Sequence, residues 1–117
     1  ALGRLEAAVR DFDDALLLDP TNWEAWFGSG TVRCYLSLFQ ESVSDLSIAL
    51  RLHPKDKKVL FQRGLAKDGL GDLAGARADA QEALHQAPPD WPYREKAEDF
   101  LRELGAGDGA GEDSGGA

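Results

Sequence analysis

Apolar side chains recur along this chain at helical spacing. Over residues 6–18, Val9, Phe12, Ala15 and Leu16 fall on one helix face. Asp19-Pro20-Thr21-Asn22 interrupts the pattern, because proline donates no N–H and restricts the residue before it. Helices are predicted next over 23–36 and 40–52, the latter with Val43, Leu46, Ala49 and Leu50 on one face. His53-Pro54-Lys55-Asp56 repeats the break, and helices over 57–70 and 72–86 follow. Pro88-Pro89-Asp90 is a third break, before a last predicted helix over 91–104. Thr21-Asn22-Trp23-Glu24 has capping-box form, with Asn22 as a competing cap. Gly71 suits a left-handed helix end and Asp72 the next N-cap. Asp90 is read as the last cap, with Pro92 tolerated in the first turn. No segment alternates as a strand does.

The punctuation is periodic. Pro20, Pro54 and Pro88 are 34 residues apart, and so are Ala15, Ala49 and Ala83. Ala8, Ser42 and Ala76 keep the step as a column of small residues, as do Leu16, Leu50 and Leu84. Gly30 and Gly64 form a further pair, and Trp23 and Trp91 lie two periods apart. Small residues at Gly30, Gly64, Ala8, Ala76 and Ala83 allow helices to approach closely, while Trp26, Leu46 and Leu60 fill the spaces between. No such unit buries its apolar face alone, so neighbours must stack.

These columns resemble the tetratricopeptide repeat, a 34-residue helix–turn–helix unit, over roughly residues 1–104. Ser29-Gly30 and Arg63-Gly64 stand at its small–glycine pair, and Phe12 and Leu46 at its large position, where Ala80 departs. Arg33 and Lys67 stand where the family places an aromatic residue. The resemblance implies an all-α fold: a right-handed superhelical α-solenoid of antiparallel helix pairs, about six helices. Residues 1–22 are a half repeat, 23–56 and 57–90 full repeats, and 91–104 a capping helix with Arg94, Glu95, Glu98, Asp99 and Arg102 on its exposed face. Residues 105–117, with six glycines and no large apolar residue, are read as a disordered glycine-acidic tail. The chain has no methionine, and Ala1 falls at the thirteenth position of a repeat. The expectation is therefore the last part of a longer array.

Composition narrows the function. The chain has 117 residues, with 13 basic and 21 acidic side chains and a net charge of −8. That excludes a generic basic nucleic-acid binder. No apolar run approaches the ~20 residues of a membrane span. One cysteine, Cys34, excludes an internal disulfide and fits a reducing, cytoplasmic compartment. His53 and His85 are too isolated for a metal site, and no Cys/His cluster has zinc-ligand spacing. Ser29 lacks a nucleophile elbow's strand context. Nothing points to an enzyme or a cofactor.

By the resemblance, the first helix of each pair lines a concave groove. Its candidates are Glu24, Phe27, Gly28, Thr31, Cys34 and Tyr35 in the first full repeat, and Lys58, Phe61, Gln62, Leu65 and Asp68 in the second. Phe27 and Phe61 are equivalent positions, suited to an extended peptide or a helix. One family variant clamps the acidic C-termini of heat-shock chaperones. Here Lys58 matches one of its lysines, but Gln62 replaces its arginine and Gly28 an asparagine. Glutamine cannot supply the bidentate guanidinium contact. The leading expectation is a non-catalytic scaffold binding a partner protein or peptide, with no nucleic acid and no membrane insertion. The alternatives are homo-oligomerisation through the half repeat, or an accessory module of a larger enzyme or co-chaperone.

Overall fold

The computed structural model describes residues 2–116, with side chains described over 2–105. Six helices follow one another: α1 (Leu2–Leu18), α2 (Trp23–Tyr35), α3 (Phe39–Leu52), α4 (Lys57–Gly69), α5 (Leu73–Gln86) and α6 (Arg94–Gly116). No strand occurs among the described residues. Of the tail expected over 105–117, residues 106–117 lie outside those whose side chains are described.

The breaks behave as the sequence predicts, with two differences. Asn22 caps α2, its side chain accepting from Ala25 N at 3.1 Å. Thr21 is not the cap, because its N–H and hydroxyl both donate to Asp19. Those bonds hold the Asp19 carboxylate below its ordinary value. The last helix begins at Arg94, so Asp90 does not cap it. Trp91 and Pro92 stand in a turn, with Trp91 N donating to Pro88 O and Arg94 N to Trp91 O. The Arg94 guanidinium half-buries itself by donating to the carbonyls of Leu84 and Ala87, so it closes the end of α5. Gly71 adopts φ +83°, and Asp72 accepts from Gly75 N, as the turn between α4 and α5 requires.

Packing follows the 34-residue columns. Successive helices pack on each other, α2 on α3 and α4 on α5 within the repeats, α3 on α4 between them. A Cβ on Gly30 would come within 2.6 Å of Leu46 Cγ, and one on Gly64 within 3.1 Å of the Ala76 carbonyl. Ser42 uses the same closeness to donate to Gly30 O at 2.6 Å. Leu46, Ala49 and Val59 form one fully buried cluster between the repeats. Leu60, Ala83, Trp91 and Ala97 form a second, and Ala76, Ala80, Phe100 and Leu104 a third. The last two join α6 to the array, so Ala80 departs from a large residue where Phe100 and Leu104 supply the bulk.

Candidate functional site

The first helices of the pairs, α2 and α4, share a concavity with α6. Residues at four-residue spacing on a helix share a face. Thus α2 presents Phe27, Thr31 and Tyr35, and α4 presents Lys58, Phe61, Gln62 and Leu65, to a cavity of about 600 Å³. Seven of the eleven groove residues expected from the sequence line it. Glu24 is exposed and does not. Gly28 faces α1, where the Phe12 ring lies across it, Asp68 is exposed, and Cys34 sits half-buried beside Gln62 and Ser42.

The third wall, after α2 and α4, was not legible as such. Trp91, Tyr93, Lys96, Phe100 and Glu103 complete the lining, so the last helix is a groove wall as well as a cap. Its exposed face does carry Glu95, Glu98 and Arg102. The available signal was the spacing of Ala97, Phe100 and Leu104, which marks a second, apolar face.

Aromatic rings organise the cavity. Phe61 is met edge-on by Trp91 at 6.1 Å and by Phe100 at 5.9 Å between centroids. Phe27 lies 6.4 Å from Trp23, which itself stacks on His53 at 4.1 Å. Both phenylalanines are therefore half-buried: each packs on neighbours and turns an edge to the cavity. Lys58 Nζ lies 6.0 Å from the Phe27 centroid, and Lys96 Nζ 5.9 Å from that of Tyr93. The buried Thr31 hydroxyl in the same wall has no hydrogen-bond partner among the described residues.

Behind the groove runs a ladder of ion pairs that explains Arg33 and Lys67. Asp45 accepts from Arg33 Nη1 at 2.6 Å and from the Ser29 hydroxyl at 2.7 Å, and Arg33 also reaches Asp13 at 3.4 Å. One repeat on, Asp79 accepts from Arg63 Nε at 2.7 Å and Nη2 at 2.8 Å, and pairs with Lys67 at 3.1 Å. Arg63 Nη1 also donates to Ser47, which occupies the column of Asp13. The column of Arg33 and Lys67 keeps its cation, Arg63 adds a second one in the column of Ser29, and the buried aspartate keeps its place. Where the family packs a ring, this chain packs a charged pair. Arg63 is thereby directed away from the groove.

Burial pushes the Cys34 thiol above its ordinary value of 9.0, against opposing hydrogen bonds to Gln62 and Ser42. The folded chain holds this proton more tightly than the unfolded chain. Its contribution to stability is therefore complete below about pH 9 and is lost as the pH rises through the folded-state value. The expected result is a larger drop in urea midpoint between pH 7 and pH 10 for the unaltered chain than for Cys34→Ala. Equal drops would show that the thiol is not shielded.

Among the described residues no group of three His, Cys, Asp or Glu side chains is placed to hold a metal, and no helix is long and apolar enough to cross a membrane.

Stacked helix pairs with a shared concave wall and 34-residue columns define a helical-repeat solenoid. The tetratricopeptide repeat family model matches residues 1–33 and 30–90, and the chain belongs to that family. It is 32% identical over 89 residues to BBSome complex member BBS4 of Xenopus tropicalis, and 29% identical over 86 residues to the Hsp70-Hsp90 organizing protein of Triticum aestivum. Each match covers 74% of this chain but only 17% and 15% of those proteins. Among solved structures, the first TPR domain of human RPAP3 superposes with a TM-score of 0.83 at 23% identity, covering 96% of this chain and 85% of that one. The first TPR of Spaghetti (RPAP3), bound to the HSP90 peptide SRMEEVD, gives 0.82 at 23%, covering 90% and 80%. PcrH in complex with the chaperone-binding region of PopD gives 0.83 at 21%, covering 91% and 82%.

Proposed function

We propose that this chain is a non-catalytic interaction scaffold that holds a peptide or helix of a partner protein in the groove between α2, α4 and α6. The observation that carries this reading is the cavity itself: lined from three helices by aromatic and aliphatic side chains with a few polar and charged ones among them. The SRMEEVD peptide and PopD segment held by structurally similar chains support it, as does the tetratricopeptide repeat's general use as a binding module. A free, protonated thiol fits a cytoplasmic setting.

The test is capture of partners from lysate by the intact chain and by two variants. Phe61 is built into the packing of α6, so Phe61→Ala is expected to weaken both binding and stability. Tyr35 is 68% exposed and lines the cavity, so Tyr35→Ala separates the two. It is expected to weaken a micromolar partner about tenfold while leaving the melting temperature unchanged. Partners retained equally by both variants would place binding elsewhere.

A second reading, self-assembly through α1, has one observation behind it. Leu17 and Leu18 stand 84% and 90% exposed on that helix. Sedimentation at several concentrations tests it, and a strict monomer rejects it.

A further inference from the structure

Most of this chain's lysines stand clear of carboxylates: among the described residues only Lys67 is within ion-pairing distance of one. Here acidic side chains outnumber basic ones 21 to 13. Arg33, Arg63, Lys67, Arg94 and Arg102 each pair with an aspartate or glutamate. The two lysines on the groove do not. Among the described residues, Lys58 and Lys96 have no carboxylate within ion-pairing distance, and each rests instead near an aromatic ring, Phe27 or Tyr93.

Their position reinforces the contrast. Lys58 is the second residue of α4 and Lys96 the third of α6. Both therefore lie in a first helical turn, where the helix dipole is already positive and a cation is disfavoured. Both lysines line the same cavity, although Asp56 caps the α4 N-terminus and Glu95 stands in the first turn of α6. Glu103 lines the cavity from a later turn of α6, so the groove carries two cations and one anion.

We infer that the occupant is an internal apolar–acidic segment of a partner protein. An aliphatic or aromatic side chain enters between Phe27, Phe61 and Phe100, and neighbouring Asp or Glu side chains pair with Lys58 and Lys96. This rests on the groove reading and gives it a ligand class. The segment need not present a chain-terminal carboxylate. A terminal carboxylate calls for a fork of donors, and Gln62 stands beside Lys58 while Arg63 is held by Asp79. The apolar anchor supplies affinity, and the lysine rim supplies charge selectivity and salt dependence.

The experiment is a fluorescence-anisotropy titration of the full chain with three labelled 12-residue peptides sharing a Leu-Phe core. One flanks the core with Glu, one with Gln and one with Lys, and each is made with a free and an amidated C-terminus. The Glu peptide is expected to bind about tenfold more tightly than the Gln peptide at low salt, with the Lys peptide weakest and amidation without effect. Lys58→Gln/Lys96→Gln should abolish the Glu preference, while Lys55→Gln, outside the groove, should leave it intact. Equal binding of Glu and Gln peptides, a preference surviving the double substitution, or strict dependence on the free terminus would overturn the acidic-segment assignment. Tyr35→Ala separates the readings. If it weakens every peptide alike, the groove stands and only the ligand class falls. If peptides bind and Tyr35→Ala changes none of them, the groove reading falls as well. Failure of all three peptides at millimolar concentration overturns the assignment of ligand class.

Discussion

Leu46→Ala is expected to lower the unfolding free energy by about 3 kcal/mol, the cost of emptying a fully buried leucine site that cannot collapse. Leu46 lies where α2, α3 and α4 meet. Its side chain fills the notch above Gly30, touches Ala49 and Val59, and is walled by Trp23, Trp26 and Phe27. Glycine has already brought the α2 backbone as close as it can come, so α2 cannot move inward to fill the void. A chain of this size has a total stability of about 5–15 kcal/mol, so the loss is a large share of it. Urea unfolding measures the effect. Leu52→Ala, at a position 40% exposed on the same helix, is the control and should cost under about 1 kcal/mol. Equal losses at the two positions would mean that the Leu46 site repacks and that the close approach at Gly30 is not a constraint.

The second large effect belongs to the ion-pair ladder. Asp79→Ala leaves Arg63 and Lys67 facing each other without their shared anion. Breaking a buried pair from one side costs about 3–5 kcal/mol when the survivors stay dry. Here the two cations are about a fifth exposed, 21% and 19%, so water screens part of the penalty and about 2 kcal/mol is expected. Asp11 occupies the same column two repeats earlier, but it is exposed on α1. Asp11→Ala should therefore change stability by less than about 0.5 kcal/mol. A double-substitution cycle on Arg63 and Asp79 should show coupling of about 1 kcal/mol or more. Additive effects would reduce the ladder to a crystal-like coincidence of geometry without energetic weight.

The helices and their order were legible because each boundary has a local cause. A proline every 34 residues stops one helix, and Asn22 or Asp72 starts another through its own side chain. The groove residues on α2 and α4 were legible for a similar reason. Once a helix has a register, the face of Phe27, Thr31 and Tyr35 is fixed by 3.6-residue geometry. Where local signals competed, the outcome depended on relations beyond the pattern. Thr21 turned to Asp19, leaving the cap to Asn22. Asp90 lost its capping role because Pro88 and Trp91 formed turns and carried the helix start to Arg94.

Arg33 and Lys67 show the limit more sharply. In the sequence they are departures from an aromatic column. In the folded chain they are the cations that answer Asp45 and Asp79 across a helix pair. A charge in a helix pattern reads as solvated, because its partner lies 12 residues away and on another helix. Only packing brings the two within hydrogen-bond reach.

By itself, then, the sequence determined the all-helical content, the repeat and the faces that two helices turn to a groove, because those depend on spacing within one helix. Tertiary structure decided that α6 and the turn before it line the cavity with Trp91, Tyr93 and Phe100, that Arg63 turns away from it, and that, among the described residues, Lys58 and Lys96 have no carboxylate partner. These are relations between helices, and distances between helices are set by how the side chains at Gly30, Leu46, Ala80 and Phe100 fill the space between them.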